Sequence, residues 1–117
     1  EVEIIDLCRC DMAEAVAQAF RMGTLVVAAT TYDAGLFPPM HSFLHHLQIK
    51  GWRDRRAAII ENGSCAPIAG KIMAALLSEM KGITLIEPVV TIKSRLKRDD
   101  IPAIDTLAAD IVSAIKG

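Results

Sequence analysis

Two short stretches hold the side chains best suited to grip a small ligand: Thr30, Thr31, Tyr32, Asp33, Ala34 and Gly35, then Asn62, Gly63, Ser64, Cys65 and Ala66. The first offers hydroxyls, a ring, a carboxylate and a glycine; the second an amide, a glycine, a hydroxyl and a thiol. Small residues let backbone N–H groups approach a planar heteroaromatic ring. Tyr stacks on such a ring, and hydroxyls fix its polar edge. Other groups have plainer readings. His41 and His45 stand one helical turn apart, but no carboxylate nearby completes a metal site, so they read as exposed or partner-facing. Cys8 and Cys10 lack a second Cys or His pair at zinc spacing and read as small thiols. Asp33 in a turn bonds its own backbone, and Glu61 is a hydrogen-bonded group at a strand end. Ser64 lacks the Gly-x-Ser-x-Gly frame of a nucleophile elbow. Trp52 anchors a solvated surface formed with Arg53, Arg55 and Arg56.

The elements that must position these stretches alternate. Val2 to Leu7 reads as a strand. Asp11 and Glu14 have capping-box spacing before a helix with Val16, Ala19 and Phe20 on one face, ended by Gly23. Leu25 to Ala29 is apolar throughout, as a strand buried on both faces should be. Pro38 and Pro39 open a helix whose Met40, Phe43, Leu44 and Leu47 share a stripe, and which ends near Gly51. Arg56 to Ile60 is the next strand. A helix from Pro67 carries Ile72, Leu76 and Met80 and stops at Gly82. Ile83 to Ile92 is extended but broken by Pro88, as an edge strand tolerates. Asp99 or Asp100 caps a last helix with Ile104, Leu107, Ala108, Ile111 and Ile115 on its face; the charged run before it, Lys93 to Asp100, is a surface connection. This order predicts one α/β domain over residues 1–117, a doubly wound parallel sheet in three α/β/α layers. Ligands bind such sheets beyond the carboxyl ends of the strands, which places the two candidate stretches side by side.

Composition narrows the function. The chain has 117 residues, 52% hydrophobic and only 4% aromatic, with a net charge of −1, so no basic face for nucleic acid or anionic lipid is implied. No apolar stretch approaches the roughly 20 residues that span a bilayer. Three cysteines, odd and few, fit a reducing, cytoplasmic setting with free thiols.

ATTYDAGLFPPMHSFLHHL followed by IIENGSCAPIAGK resembles the two flavin-ring loops of flavodoxin-like domains, above all those of A-type flavoproteins (flavodiiron proteins). The resemblance runs from residue 1 to 117. It implies an FMN domain that passes electrons to a diiron site in a separate metallo-β-lactamase-like domain, for reduction of dioxygen or nitric oxide. A redox donor such as rubredoxin or a reductase would supply them. It also implies that Thr30, Thr31, Tyr32, Asp33, Ala34 and Gly35 border the flavin on one side, and Asn62, Gly63, Ser64, Cys65 and Ala66 on the other. Two departures stand out. The family's first strand and its phosphate-binding loop have no counterpart before Glu1, where EVEIIDL resembles the second strand; the chain reads as a C-terminal fragment of a larger flavoprotein, with a partner strand supplied from elsewhere or a sheet closed in another way as the alternatives. Cys65 stands where relatives often carry an aromatic residue. Weak or no FMN binding by the chain alone follows, since each lost charge-assisted hydrogen bond is worth roughly 1.5–3 kcal/mol. An interrupted sheet also points to a homodimer. Two competing functions stay open: a stand-alone flavin-dependent NAD(P)H or quinone reductase, and a cofactor-free α/β domain for assembly or regulation.

Overall fold

The computed structural model describes residues 3–32, 35–62, 69–92, 98 and 101–116. In chain order these form α1 (Met12–Arg21), β1 (Thr24–Tyr32), β2 (Gly35–Leu36), α2 (Pro38–Ile49), β3 (Arg56–Asn62), α3 (Ala69–Ser78), β4 (Thr84–Ile92) and α4 (Ile101–Lys116). The sheet order is β2-β1-β3-β4. β1, β3 and β4 are mutually parallel, and β2 is a two-residue antiparallel return on β1. The helix start at Pro67, the cap at Asp99 or Asp100 and most of the 93–100 connection lie outside the described residues.

Alternation along the strands sorts side chains between two cores. Val27, Ala57 and Ile59 join the buried faces of α1, α2 and α3 in the larger one. Ala58, Ile86 and Val90 meet Leu107 of α4 in the smaller, with Ile104, Ile111 and Ala114 beside them. Helices thus lie on both faces, but Val26, 44% exposed, and Ala28 are uncovered on the face of β1 away from the larger core, so β1 is not buried on both faces as its apolar run predicts.

α2 keeps its predicted span and buries Met40, Phe43, Leu44 and Leu47. Its C-terminus is a Schellman motif. Trp52 N–H donates to the Leu47 carbonyl (3.0 Å) and Gly51 N–H to that of Gln48 (3.2 Å), with Gly51 at φ 77°. Pro88 falls inside β4 where the register shifts between Ala58 and Ile60, so its missing N–H coincides with the interrupted ladder.

Several expectations are corrected. Glu3 to Asp6 is not a strand. The chain turns there instead: the Asp6 carbonyl accepts the N–H groups of Arg9 (3.0 Å) and Cys10 (2.9 Å), and its carboxylate accepts that of Cys8 (2.9 Å). A strand needs a neighbour for its N–H and C=O groups, and no described strand flanks this segment. Asp11 is the N-cap residue of α1 but makes no side-chain cap bond. β1 runs three residues past Ala29, because Thr30, Thr31 and Tyr32 favour a pleated backbone and Gly35–Leu36 returns to pair with it. On α3 the buried stripe is Ala69, Gly70, Met73 and Leu77, continued by Met80, with Ile72 and Leu76 on its flank. On α4, Ala108 and Ile115 are exposed, because only one narrow stripe meets the sheet.

The amino ends of the strands are closely fastened. Trp52 is 1% exposed, and its Nε1–H donates to the Ala19 carbonyl at 2.9 Å. Arg55 donates from Nε to the Met22 carbonyl (3.0 Å) and from Nη2 to that of Phe20 (2.8 Å), satisfying carbonyls at the end of α1. Its guanidinium also lies over the Phe20 and Trp52 rings, at 5.3 and 5.5 Å from their centroids. Trp52 is therefore an anchor, as read from sequence, but Arg55 is a cap rather than a solvated charge.

Candidate functional site at the carboxyl ends of the strands

β1 and β3 pair in register from Thr24↔Arg56 to Thr30↔Asn62. The last pair sets the starts of the two candidate stretches directly opposite each other on neighbouring strands. Thr31 and Tyr32 continue β1, and Tyr32 pairs with Gly35 across the return. Asn62 is half-buried at the end of β3. Asp33, Ala34, Gly63, Ser64, Cys65 and Ala66 lie outside the described residues.

Among the described residues, one buried ionisable side chain stands at this end. Glu61 is 8% exposed, and both carboxylate oxygens are used: Oε1 accepts Gly70 N–H at 2.8 Å, and Oε2 accepts the Thr91 hydroxyl at 2.7 Å. The sequence reading of Glu61 as a hydrogen-bonded strand-end group is borne out. Its partners were not foreseen; Gly70 in a helix first turn was the available signal.

The helix N-termini on the larger-core side offer little to an anion. Pro38 and Pro39 begin α2 and have no N–H to give, while the Met40 and His41 N–H groups bond the Phe37 carbonyl. At α3 the Gly70 N–H is taken by Glu61. α1 starts among carboxylates, Asp11 and Glu14. Partial burial, then the charges of Glu14 and Asp11 and a contact with the Glu14 carboxylate, push the Cys10 thiol above its ordinary pKa.

The histidines do not assemble into a centre. His41 and His45 flank a shallow depression with Leu36, Pro38 and Ser42. His46 bonds the Ser42 carbonyl through Nδ1 at 2.7 Å. Among the described residues no group of three or more His, Cys, Asp or Glu side chains is placed to hold a metal ion. No helix among them is long and apolar enough to cross a membrane.

A parallel sheet with helices on both faces defines a flavodoxin-like α/β fold. Solved structures agree. A flavodoxin from the domain Archaea superposes with a TM-score of 0.85 at 20% identity, covering 100% of this chain and 79% of that one. Oxidised Flavodoxin 1 from Bacillus cereus gives 0.81 at 19% identity, covering 97% and 78%. Rubredoxin oxygen:oxidoreductase from the anaerobe Desulfovibrio gigas gives 0.76 at 18% identity over 90% of this chain, which spans 32% of that protein. No protein-family model matches the sequence, and no curated protein matches it.

Proposed function

We propose that this chain is the FMN-binding, electron-transfer domain of an A-type flavoprotein, and that Thr30, Thr31, Tyr32, Asp33, Ala34, Gly35, Asn62, Gly63, Ser64, Cys65 and Ala66 border the flavin ring. The observation that carries this reading is the Thr30↔Asn62 register pair, which joins the two motif stretches at one end of a flavodoxin-like sheet. The residues fit the ring better than the phosphate. N–H groups, hydroxyls and a Tyr suit a planar edge, whereas α2 opens on two prolines without N–H groups and the Gly70 N–H of α3 is taken by Glu61. Bound flavin would supply the redox chemistry, taking up and releasing electrons. The chain's own residues would orient the ring and exclude water from one of its faces.

In this proposal the domain is part of a longer cytoplasmic flavoprotein. It receives electrons from rubredoxin or a reductase and delivers them to a diiron metallo-β-lactamase-like domain that reduces dioxygen or nitric oxide. The likeness to the Desulfovibrio gigas protein, whose name carries both rubredoxin and oxygen, supports that context. A missing first strand is supported by the edge of β1 away from β3, where Thr24 to Thr30 have no strand partner among the described residues. That edge also makes a homodimer reasonable, to be checked by light scattering.

Titration of the purified chain with FMN, followed by flavin fluorescence, tests the reading. Weak, saturable quenching is expected, with riboflavin bound nearly as well as FMN. No quenching by either flavin would overturn flavin binding by this chain, and near-stoichiometric FMN on purification would overturn the weak-binding part. NAD(P)H oxidation by the flavin-loaded chain alone would favour the reductase reading.

A further inference from the structure

Two local arrangements at the carboxyl end of β3 are unfavourable taken singly. A carboxylate buried at the end of a strand costs free energy unless its oxygens are partnered, and glycine in a helix is worse than alanine. Here each accounts for the other. A Cβ on Gly70 would stand 2.7 Å from the Glu61 carboxyl carbon and 2.8 Å from both oxygens, too close for any side chain to be added without moving the carboxylate. Without a Cβ, the Gly70 N–H reaches Oε1 at 2.8 Å, while Oε2 takes the Thr91 hydroxyl at 2.7 Å. One side chain thus joins the end of β3, the start of α3 and the end of β4. The connection between Glu61 and Gly70 carries Asn62 to Ala66, so both of its ends are held by this tie.

We propose that Glu61 is a positioning residue: its carboxylate, shared between Gly70 N–H and the Thr91 hydroxyl, fixes the ends of the connection that presents the second ring-bordering stretch. The ligand in this statement rests on the flavin reading above; the tie itself does not. Glutamine keeps an oxygen to accept from Gly70 and an amide to donate to Thr91, so shape and contacts carry the role rather than charge. Leucine keeps the bulk and loses both contacts.

Amide hydrogen exchange by NMR on the whole chain tests the tie without ligand. Glu61→Leu should speed exchange at Asn62, Ala69 and Gly70 by roughly tenfold or more, the loss expected when a hydrogen bond to a charged group is removed. Val27 and Ile59 should hold their protection. Glu61→Gln should restore most of the slowing. Gly70→Ala should speed exchange in the wild-type background, where it displaces the carboxylate, and slow it beside Glu61→Ala, where only its helix preference remains. Unchanged exchange in Glu61→Leu, equal loss in Leu and Gln, or the same effect of Gly70→Ala in both backgrounds would each overturn the proposal. A global rise that includes Val27 and Ile59 would overturn it too. FMN titration of the same variants should show weaker binding for Leu and near-normal binding for Gln. If the wild type binds no flavin, the flavin reading fails while the exchange result still decides the tie.

Discussion

At the amino ends of its strands the sheet is fastened by backbone and by large side chains, whereas at the carboxyl ends the described residues show a small polar tie through Glu61. Trp52, Arg55, the Schellman turn at Gly51 and the Gly82 turn crowd together at the first end. Asp54, at φ 55°, donates its N–H to the Lys81 carbonyl at 3.0 Å, and Gly82 at φ 70° lies against its side chain. At the other end Glu61 bridges Gly70 and Thr91. The difference teaches where each kind of residue is needed. Rigid anchors hold the strands in register at one end, while at the other a single carboxylate links two strands and a helix.

Variants at the two ends should separate stability from binding. Trp52→Ala removes a ring that is 1% exposed, its bond to Ala19 and its stacking on Arg55, and should cost about 3–5 kcal/mol by urea denaturation. Gly82→Ala places a Cβ onto Asp54 at a positive φ and should cost about 1–3 kcal/mol by the same measurement. Asn62→Ala, at the opposite end, should cost no more than about 1 kcal/mol of stability yet weaken FMN binding by roughly tenfold. A smaller effect is expected at Cys10. Because Glu14 helps raise this thiol, Glu14→Gln should speed its alkylation about two- to fivefold at about pH 8. The gain should fade at higher pH, where the thiol is ionised in both proteins. Equal losses of stability at the two ends would erase the contrast.

The elements legible in the sequence were those whose periodicity or punctuation is strong. The α2 stripe, the apolar β1 and β3 runs, Gly51 and Gly82 as stops and Pro88 as an interruption all follow from local rules. β2 was not legible, because two residues carry no period; only the pairing of Gly35 with Tyr32 and of Leu36 with Thr31 makes them a strand. Glu3 to Leu7 has strand-like residues, but a strand is a property of a pair and its neighbour decides it. The exposed Ala108 and Ile115 teach the same about helices: an apolar face wider than its contact leaves some residues uncovered. Both candidate stretches were recognisable by residue type, and their adjacency followed from parallel topology. The Glu61 tie links residues 61, 70 and 91, a separation that no local pattern encodes.

The interruption of β4 at Pro88 has a consequence for how this protein meets others. A strand bent by a break in its register is a poor template for a further strand, so the β4 margin is guarded against adventitious pairing. Between Thr24 and Thr30 the opposite margin of the sheet contains neither proline nor lysine, and Val26 there is 44% exposed. Among the described residues, the margin of β1 is therefore the favourable one for strand addition, whether by the chain's own segment, a copy or an aggregate.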